Sequence, residues 1–283
     1  MADALLQVEV EGTQEQVMKA VALCYHDVID GDDFDASGFP GTSPAAYKLD
    51  ISDMARHLDA IAASRHDNPS RVDEFLKRTG NGGLPLFITF DDGGVSAATH
   101  IADLLEQRGW AAHFFITAGR VDTPAFVSSA QVRELRRRGH LVGSHSWSHP
   151  TRMAHCSRPQ LEEEWQRSVK FLSDVLGERV DVASVPGGYY SRQVAEAAAQ
   201  AGIRVLFNSE PQKTAMRVGD CWVLGRYSVI RGMPAEASAQ LACAAQSPLQ
   251  LKQYLFWNAK KIVKRLGGRG YLAVREMMLR RRA

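Results

Sequence analysis

The sequence LPLFITFDDG, residues 84–93, places two adjacent carboxylates directly after a run of apolar residues. A short apolar run that follows Gly and Asn residues predicts a buried β-strand. Because burying an unpaired charge costs free energy, Asp91 and Asp92 are not expected inside a core. We expect them at the end of the strand, either as a helix cap with a solvated neighbour or as part of a site.

Similar short apolar runs recur along the chain and alternate with helical patterns. VALCYHDV at 21–28, AAHFFIT at 111–117, LVGSH at 141–145 and CWVLGRYSVI at 221–230 are predicted as strands. Segments with apolar residues at helical spacing lie between most of the runs. This alternation predicts a parallel sheet with helices outside it. About seven such units in one chain favour a closed or nearly closed (β/α) barrel.

The composition, with 45% hydrophobic and 23% charged residues among 283, excludes a disordered or collagen-like chain. No stretch approaches the ~18 apolar residues of a membrane-spanning helix. The first residues, MADALLQVEVEGTQEQ, show no basic start followed by an apolar run. The four cysteines are widely spaced, as expected of buried thiols in a reducing compartment. These features predict a cytoplasmic protein.

The charge is distributed unevenly. From Lys260 to the end, the chain holds nine basic residues against one acidic residue, so the remainder is net acidic. We expect a barrel domain over residues 1–247 and a basic amphipathic helical tail over residues 248–283. The tail either packs across the barrel or rests on anionic lipid at the inner face of a membrane. The acidic body argues against a nucleic-acid partner.

A second polar segment, GSHSWSHP at 143–150, places two histidines four residues apart. Both rings can face one metal ion, although one core histidine and one exposed histidine would give the same pattern. With one carboxylate from a neighbouring strand, His145 and His149 make a three-ligand site with positions left open for water and substrate. The other carboxylate is then free to act as a base.

In this order and about fifty residues apart, TFDDG at 89–93 and SHSWSHP at 144–150 resemble the first two motifs of the NodB-type polysaccharide deacetylases. The resemblance implies an α/β fold, a distorted (β/α) barrel of about seven strands with a helical C-terminal extension. It also implies that Asp91 is the catalytic base and that one divalent ion, expected to be zinc, is bound by Asp92, His145 and His149.

A third segment, SVPGGYY at 184–190, falls where that family has R-x-P-x-G. The resemblance implies that Pro186, Gly187 and Tyr189 contact substrate and that the Gly187 N–H stabilises an oxyanion. The family arginine, which holds the catalytic aspartate, is replaced by Ser184. Another cation such as Arg226 or Arg231, or hydrogen bonds alone, must take its place.

A second departure concerns proton donation to the leaving amine. Family members carry a late histidine for this step, whereas no histidine follows His155 in this chain. His26 is the candidate catalytic replacement, because its YHDV segment is similar to one in exopolysaccharide deacetylases. Alternatively, His26 is a structural residue bonded to Asp27 or the backbone, and Asp91 serves as both base and acid.

The sequence thus predicts a metal-dependent hydrolase that removes an N-acetyl group from a sugar in polysaccharide or glycoconjugate biosynthesis. The expected substrate is polymeric, lipid-linked or nucleotide-linked. Two alternatives stay open. One is a non-catalytic glycan- or membrane-binding module on the same fold, suggested by the missing arginine and histidine. The other is a hydrolase of a different C–N amide bond.

Overall fold

The structure, a computed structural model, describes residues 18–77 and 83–267, with side chains described as far as residue 259. Within these residues the strands are β1 (Val21–Tyr25), β2 (Val28–Ile29), β3 (Leu49–Asp50), β4 (Leu86–Phe90), β5 (His113–Ile116), β6 (Leu141–Ser144), β7 (Val182–Ser184), β8 (Val205–Phe207), β9 (Met216–Val218), β10 (Cys221–Leu224) and β11 (Tyr227–Ser228). The α-helices are α1 (Thr42–Ala45), α2 (Ile51–Ser64), α3 (Val72–Phe75), α4 (Ala102–Glu106), α5 (Ser129–Arg137), α6 (Arg158–Leu176), α7 (Arg192–Gln200), α8 (Ala235–Ala242) and α9 (Pro248–Gly267).

Nine strands form one curled sheet in the order β11-β1-β4-β5-β6-β7-β8-β10-β9. All neighbours are parallel except β9 and β10, and β2 pairs with β3 separately. Tyr25 lies opposite Phe90, so β1 and β4 end level, whereas β5 continues beyond Phe114, the partner of Phe90, to Ile116. The residues that follow the strands therefore meet at one edge of the sheet.

The predicted α/β class is confirmed, but the sheet has nine strands and not about seven. VALCYHDV and CWVLGRYSVI each form two strands and not one. β10 pairs with β8 near one end of the sheet, whereas β11 pairs with β1 at the other end. Only Gly225 and Arg226 separate β10 from β11, so the two ends must approach each other across the curl. A side chain at Gly225 would collide with the carbonyl of Glu210.

Successive strand residues point alternately to the helices and into the curl. Phe87, Phe115 and Phe207 belong to the inner cluster, and the ring centroids of Phe115 and Phe207 are 5.4 Å apart. On the outer face, Leu58 and Ile61 of α2 belong to the larger core cluster. These aromatic rings fill the inside of the curled sheet, beneath the edge that carries the polar residues.

Local capping follows the sequence. The Asp50 side chain accepts a hydrogen bond from Ser52 N and so caps the start of α2. This cap is predicted by the sequence, because Asp50 directly precedes apolar residues at helical spacing. Ser128 and Gln131 form a capping box at α5. In the part of the chain that the structure describes, no helix combines the length and hydropathy needed to cross a membrane. The predicted tail begins with α9, and its residues 268–283 lie outside the described part.

Candidate active site

Three strand ends bring the predicted motifs together. Asp91 and Asp92 follow β4, His145 follows β6, and Ser184 is the last residue of β7. Asp92 and His149 adopt positive φ angles of 75° and 59°, which L-residues rarely occupy. Such backbone conformations persist where the surrounding structure holds them, and they cluster at functional sites.

Asp92, His145 and His149 form a compact triad. One oxygen or ring nitrogen from each lies within 4.8 Å of the others. Asp92 Oδ1 is 3.4 Å from Nε2 of His145 and 3.4 Å from Nε2 of His149. Two atoms that each lie about 2.1 Å from one tetrahedral zinc ion are about 3.4 Å apart. One carboxylate and two imidazoles are also a donor set that zinc accepts, so these residues fit a divalent ion.

Ser184 links this triad to Asp91. Its Oγ is 3.0 Å from Asp91 Oδ1, to which it donates, and 2.6 Å from His145 Nδ1. Because the Ser184 proton is given to Asp91, His145 Nδ1 must carry a proton and donate it to Ser184. His145 Nε2 then keeps its lone pair and faces Asp92. A polar partner of this kind sets the tautomer and the orientation of a metal-binding histidine.

Arg226 provides the positive charge beside Asp91 that Ser184, which stands in the place of the family arginine, does not provide. Its two terminal nitrogens donate to Oδ1 and Oδ2 of Asp91, each at 2.7 Å. Both side chains are almost fully buried. Burial raises the pKa of Asp91, but the charge and hydrogen bonds of Arg226, together with the nearby His145 and His26, outweigh burial, and the pKa lies well below its usual value. Of the two arginines considered from the sequence, Arg231 instead lies over the ring of Phe34.

His26 lies on the same edge. One of its ring nitrogens is within 4.8 Å of both Cys24 Sγ and an Asp91 carboxylate oxygen. Its Nδ1 is buried with no hydrogen-bond partner among the described residues, and its ring centroid is 4.8 Å from that of Tyr47. Burial lowers the pKa of His26, so the ring is neutral at neutral pH. The position suits a proton carrier, and the catalytic role stays a prediction.

The third motif reaches the site through a short 3-10 helix, Pro186–Gly188, that directly follows β7 and Val185. Gly187 has a φ of 61°, and a Cβ there would lie 3.2 Å from the carbonyl oxygen of Thr151. This loop therefore packs on the segment just after His149. Pro186 is buried, and Tyr189 is half-buried with its ring 6.4 Å from that of His155.

One wall of the site was not predicted from the sequence. The Phe39 ring centroid lies 4.6 Å from that of His149. Nζ of Lys48 holds the Phe39 loop by donating to the carbonyls of Phe34, Ser37 and Phe39 at 2.6 to 2.7 Å. The only sequence signal was an aromatic residue in a loop rich in Gly and Asp.

The chain resembles known proteins over its central part. A family model described as polysaccharide deacetylase matches residues 80–206. YheN of Bacillus subtilis is 26% identical over 154 residues, which are 53% of this chain and 53% of that protein. The peptidoglycan-N-acetylglucosamine deacetylase PgdA of Listeria monocytogenes is 32% identical over 162 residues, which are 56% of this chain and 32% of that protein. These matches span about half or less of the relatives' length.

A solved structure shares the fold more widely. The Streptococcus pyogenes deacetylase PplD, solved in complex with acetate, superposes with a TM-score of 0.64 and is 16% identical. The superposition covers 78% of this chain and 96% of that chain. At this identity the likeness establishes the fold alone, an α/β fold with a curled sheet.

Proposed function

Residues 80–206 of this chain belong to the polysaccharide deacetylase family, and from this premise we propose that the protein is a metal-dependent hydrolase that removes N-acetyl groups from a sugar. The observation that carries the proposal is the convergence of Asp92, His145 and His149 beside the buried Asp91–Arg226 pair. A metal triad alone is compatible with a structural site. A separate carboxylate next to it, ionised in the resting protein and able to take up a proton, is what hydrolysis requires.

Asp92, His145 and His149 would hold the divalent ion, for which we propose zinc. When bound, such an ion polarises an amide carbonyl and makes water more acidic. The three side chains leave room for further ligands, as in catalytic and not structural zinc sites.

Asp91 is the proposed base. It accepts a proton from the attacking water, and Arg226 keeps its carboxylate ionised and fixed in orientation. The Gly187 N–H donates to the oxyanion that develops on the amide oxygen. Cleavage of the C–N bond yields acetate and a free amine, and the proton that the amine needs comes from Asp91, directly or through His26.

The experiment is an acetate-release assay on polymeric, lipid-linked and nucleotide-linked N-acetylated sugars, with a formamide as a different amide. We expect Asp91→Asn to lower kcat by about 100-fold or more, as expected for loss of a general base. Asp92→Ala should lose the bound ion as measured by elemental analysis. Asp220→Asn, at a fully exposed aspartate between β9 and β10, is the matched control.

Two results would contradict the proposal. One is full activity of the Asp91→Asn variant. The other is an absence of bound metal in the parent protein even after zinc is supplied. Release of formate but not acetate would show that the protein hydrolyses a different C–N amide bond and would contradict removal of N-acetyl groups.

A further inference from the structure

The helix α9 is attached to the rest of the protein through polar residues. Gln250 is fully buried, and its Nε2 donates to the carbonyls of Leu241 and Cys243 at 2.8 and 3.0 Å. Gln253 donates to the carbonyl of Ser228 and accepts from its N–H at 2.9 and 3.2 Å. A surface helix normally turns its apolar side inward. In α9 two glutamines occupy the inward positions.

Leu249 packs against the larger core cluster, but several other apolar residues of α9 are exposed. Leu251 is 48% exposed, Tyr254 is 45% exposed and Leu255 is 57% exposed. At 3.6 residues per turn, Leu251 and Leu255 share one side of the helix with Tyr254 beside them. The sequence continues this spacing with Ile262 and Leu266. As far as side chains are described, Leu251, Tyr254 and Leu255 therefore form one apolar stripe and not isolated side chains.

Positive charge accompanies this stripe. The segment 248–267 contains Lys252, Lys260, Lys261, Lys264 and Arg265 and no acidic residue. A groove of about 560 Å³ runs beside Leu251 and Tyr254 and is also lined by Lys19 and Lys213. An apolar stripe flanked only by cations is complementary to an anionic lipid surface. A second copy of the chain would instead bring lysines against lysines.

We propose that α9 is a docking surface that lies flat on an anionic lipid bilayer. Leu251, Tyr254 and Leu255 enter the boundary between headgroups and acyl chains, and Lys252 and Lys19 beside them face the phosphates. The helix also touches the candidate active site, since a Cβ at Gly188 would lie 3.1 Å from Cη2 of Trp257. Leu251 and Tyr254 instead lie beside Lys19 and Leu84, which precede β1 and β4 at the opposite edge of the sheet, so docking on lipid does not depend on the proposed function.

Co-sedimentation with vesicles tests the proposal. The full chain is mixed with vesicles of phosphatidylcholine alone or of phosphatidylcholine with phosphatidylglycerol, and the partition coefficient is measured at low and high salt. We expect binding to the anionic vesicles that weakens with salt. Leu255→Glu should lower the partition coefficient by about tenfold or more, because it removes apolar contact and adds a repelled charge. Leu76→Glu, at an exposed leucine just after α3, should bind like the parent.

Three outcomes would overturn docking on lipid: equal binding to both vesicle types, no binding, or parental binding by Leu255→Glu. Light scattering that shows a dimer dissociated by Leu255→Glu would also overturn it, since the stripe would then contact a second copy. Acetate release from a soluble substrate is measured in parallel. Vesicle binding without any hydrolysis would reject the proposed function and leave the docking surface intact.

Discussion

At the scale of single residues, the guanidinium of Arg226 and the hydroxyl of Ser184 both donate hydrogen bonds to Asp91 and hold it in place. Arg226 contacts both carboxylate oxygens from the β10–β11 connection, and Ser184 contacts Oδ1 from β7. Arg226 also donates to Thr89 Oγ1 and to the carbonyl of Asn208. Because both charges are buried, each depends on the other for its ionised state.

Removing the guanidinium of Arg226 should prevent Asp91 from acting as a base. In Arg226→Gln the carboxylate loses its cation, burial then raises its pKa, and we expect kcat to fall by about 100-fold or more. Acetate release measures the effect, with Arg231→Gln as the matched control. Thermal unfolding shows whether the variant is folded.

A second variant separates catalysis from folding. Adding Ser184→Arg to Arg226→Gln returns a cation to the carboxylate from β7, and part of the lost activity should return. Activity of Arg226→Gln within a few-fold of the parent would show that Asp91 needs no cation.

Ser184→Ala tests the hydrogen bond to His145. Without the hydroxyl, Nδ1–H keeps only the Ser184 carbonyl at 3.2 Å, so the ring is held less firmly. We expect zinc affinity to fall by about tenfold, the lower range for loss of such a partner. Competition with a chelator of known affinity measures it, and Ser64→Ala on exposed α2 should bind zinc like the parent. Equal affinity in both variants would assign the orientation of His145 to the backbone alone.

The sequence was informative for the residues that follow strands in recognisable motifs. Asp91, Asp92, His145 and His149 were predicted together, and the structure places them at one edge of the sheet. Arg226 could only be named as one of two candidates, because linear spacing does not show which later residue faces Asp91. The bridging contact of Ser184 depends on how far β7 extends relative to β4, which sequence does not reveal.

At the scale of elements, the points at which strands end determine which side chains reach the candidate site. VALCYHDV and CWVLGRYSVI were each predicted as one strand, although His26 and Asp27 in the first and Arg226 in the second stand where the structure interrupts them. Each is interrupted because its two halves have different partners: β10 pairs with β8, and β11 pairs with β1. The interruptions leave His26 and Arg226 outside the strands, where their side chains serve the site.

The turn at Gly187 gives a prediction at this scale. Gly187→Ala places a Cβ at positive φ, costing about 1 to 2 kcal/mol, and pushes it against the Thr151 carbonyl. We expect both stability and acetate release to fall. Gly177→Ala is the control, since Gly177 has a φ of 69° but no neighbour within 4 Å. It should lose similar stability and keep its activity, and equal loss of activity in both variants would remove the special role of the Gly187 turn.

At the scale of the whole molecule, buried histidines make the fold sensitive to acid. His113 is fully buried, its Nε2 accepts from Val72 N–H at 3.0 Å, and its Nδ1 donates to the Ile88 carbonyl at 3.0 Å. Protonation of His113 at Nε2 would remove the acceptor of the Val72 N–H. Burial lowers the pKa of His113 to about 4, and it lowers that of His140, beneath Glu106, to about 4 as well.

Stability should therefore fall as the pH is lowered. Between the ordinary histidine pKa of 6.5 and the folded pKa of about 4, the unfolded chain binds a proton at position 113 that the folded chain does not. The contribution of His113 is full above pH 6.5, and about 3 kcal/mol is lost as the pH falls to 4. Urea unfolding of metal-free protein across this range measures it.

The control variants are matched by residue type. His113→Gln should be less stable at neutral pH but should show a shallower dependence on pH. His66→Gln, at an exposed histidine, should follow the parent curve. An unchanged slope in His113→Gln would show that other groups cause the acid sensitivity.

Positions 184 and 226 are far apart in the chain, yet their side chains reach the same carboxylate, one from the end of β7 and the other from the β10–β11 connection. In the history of such proteins, a cation gained at one position releases the other from selection. We therefore expect the two positions to covary among descendants of a common ancestor, with arginine at one or the other. A survey that demands arginine at the third motif alone would count chains of this kind as degenerate, although the same carboxylate is still held.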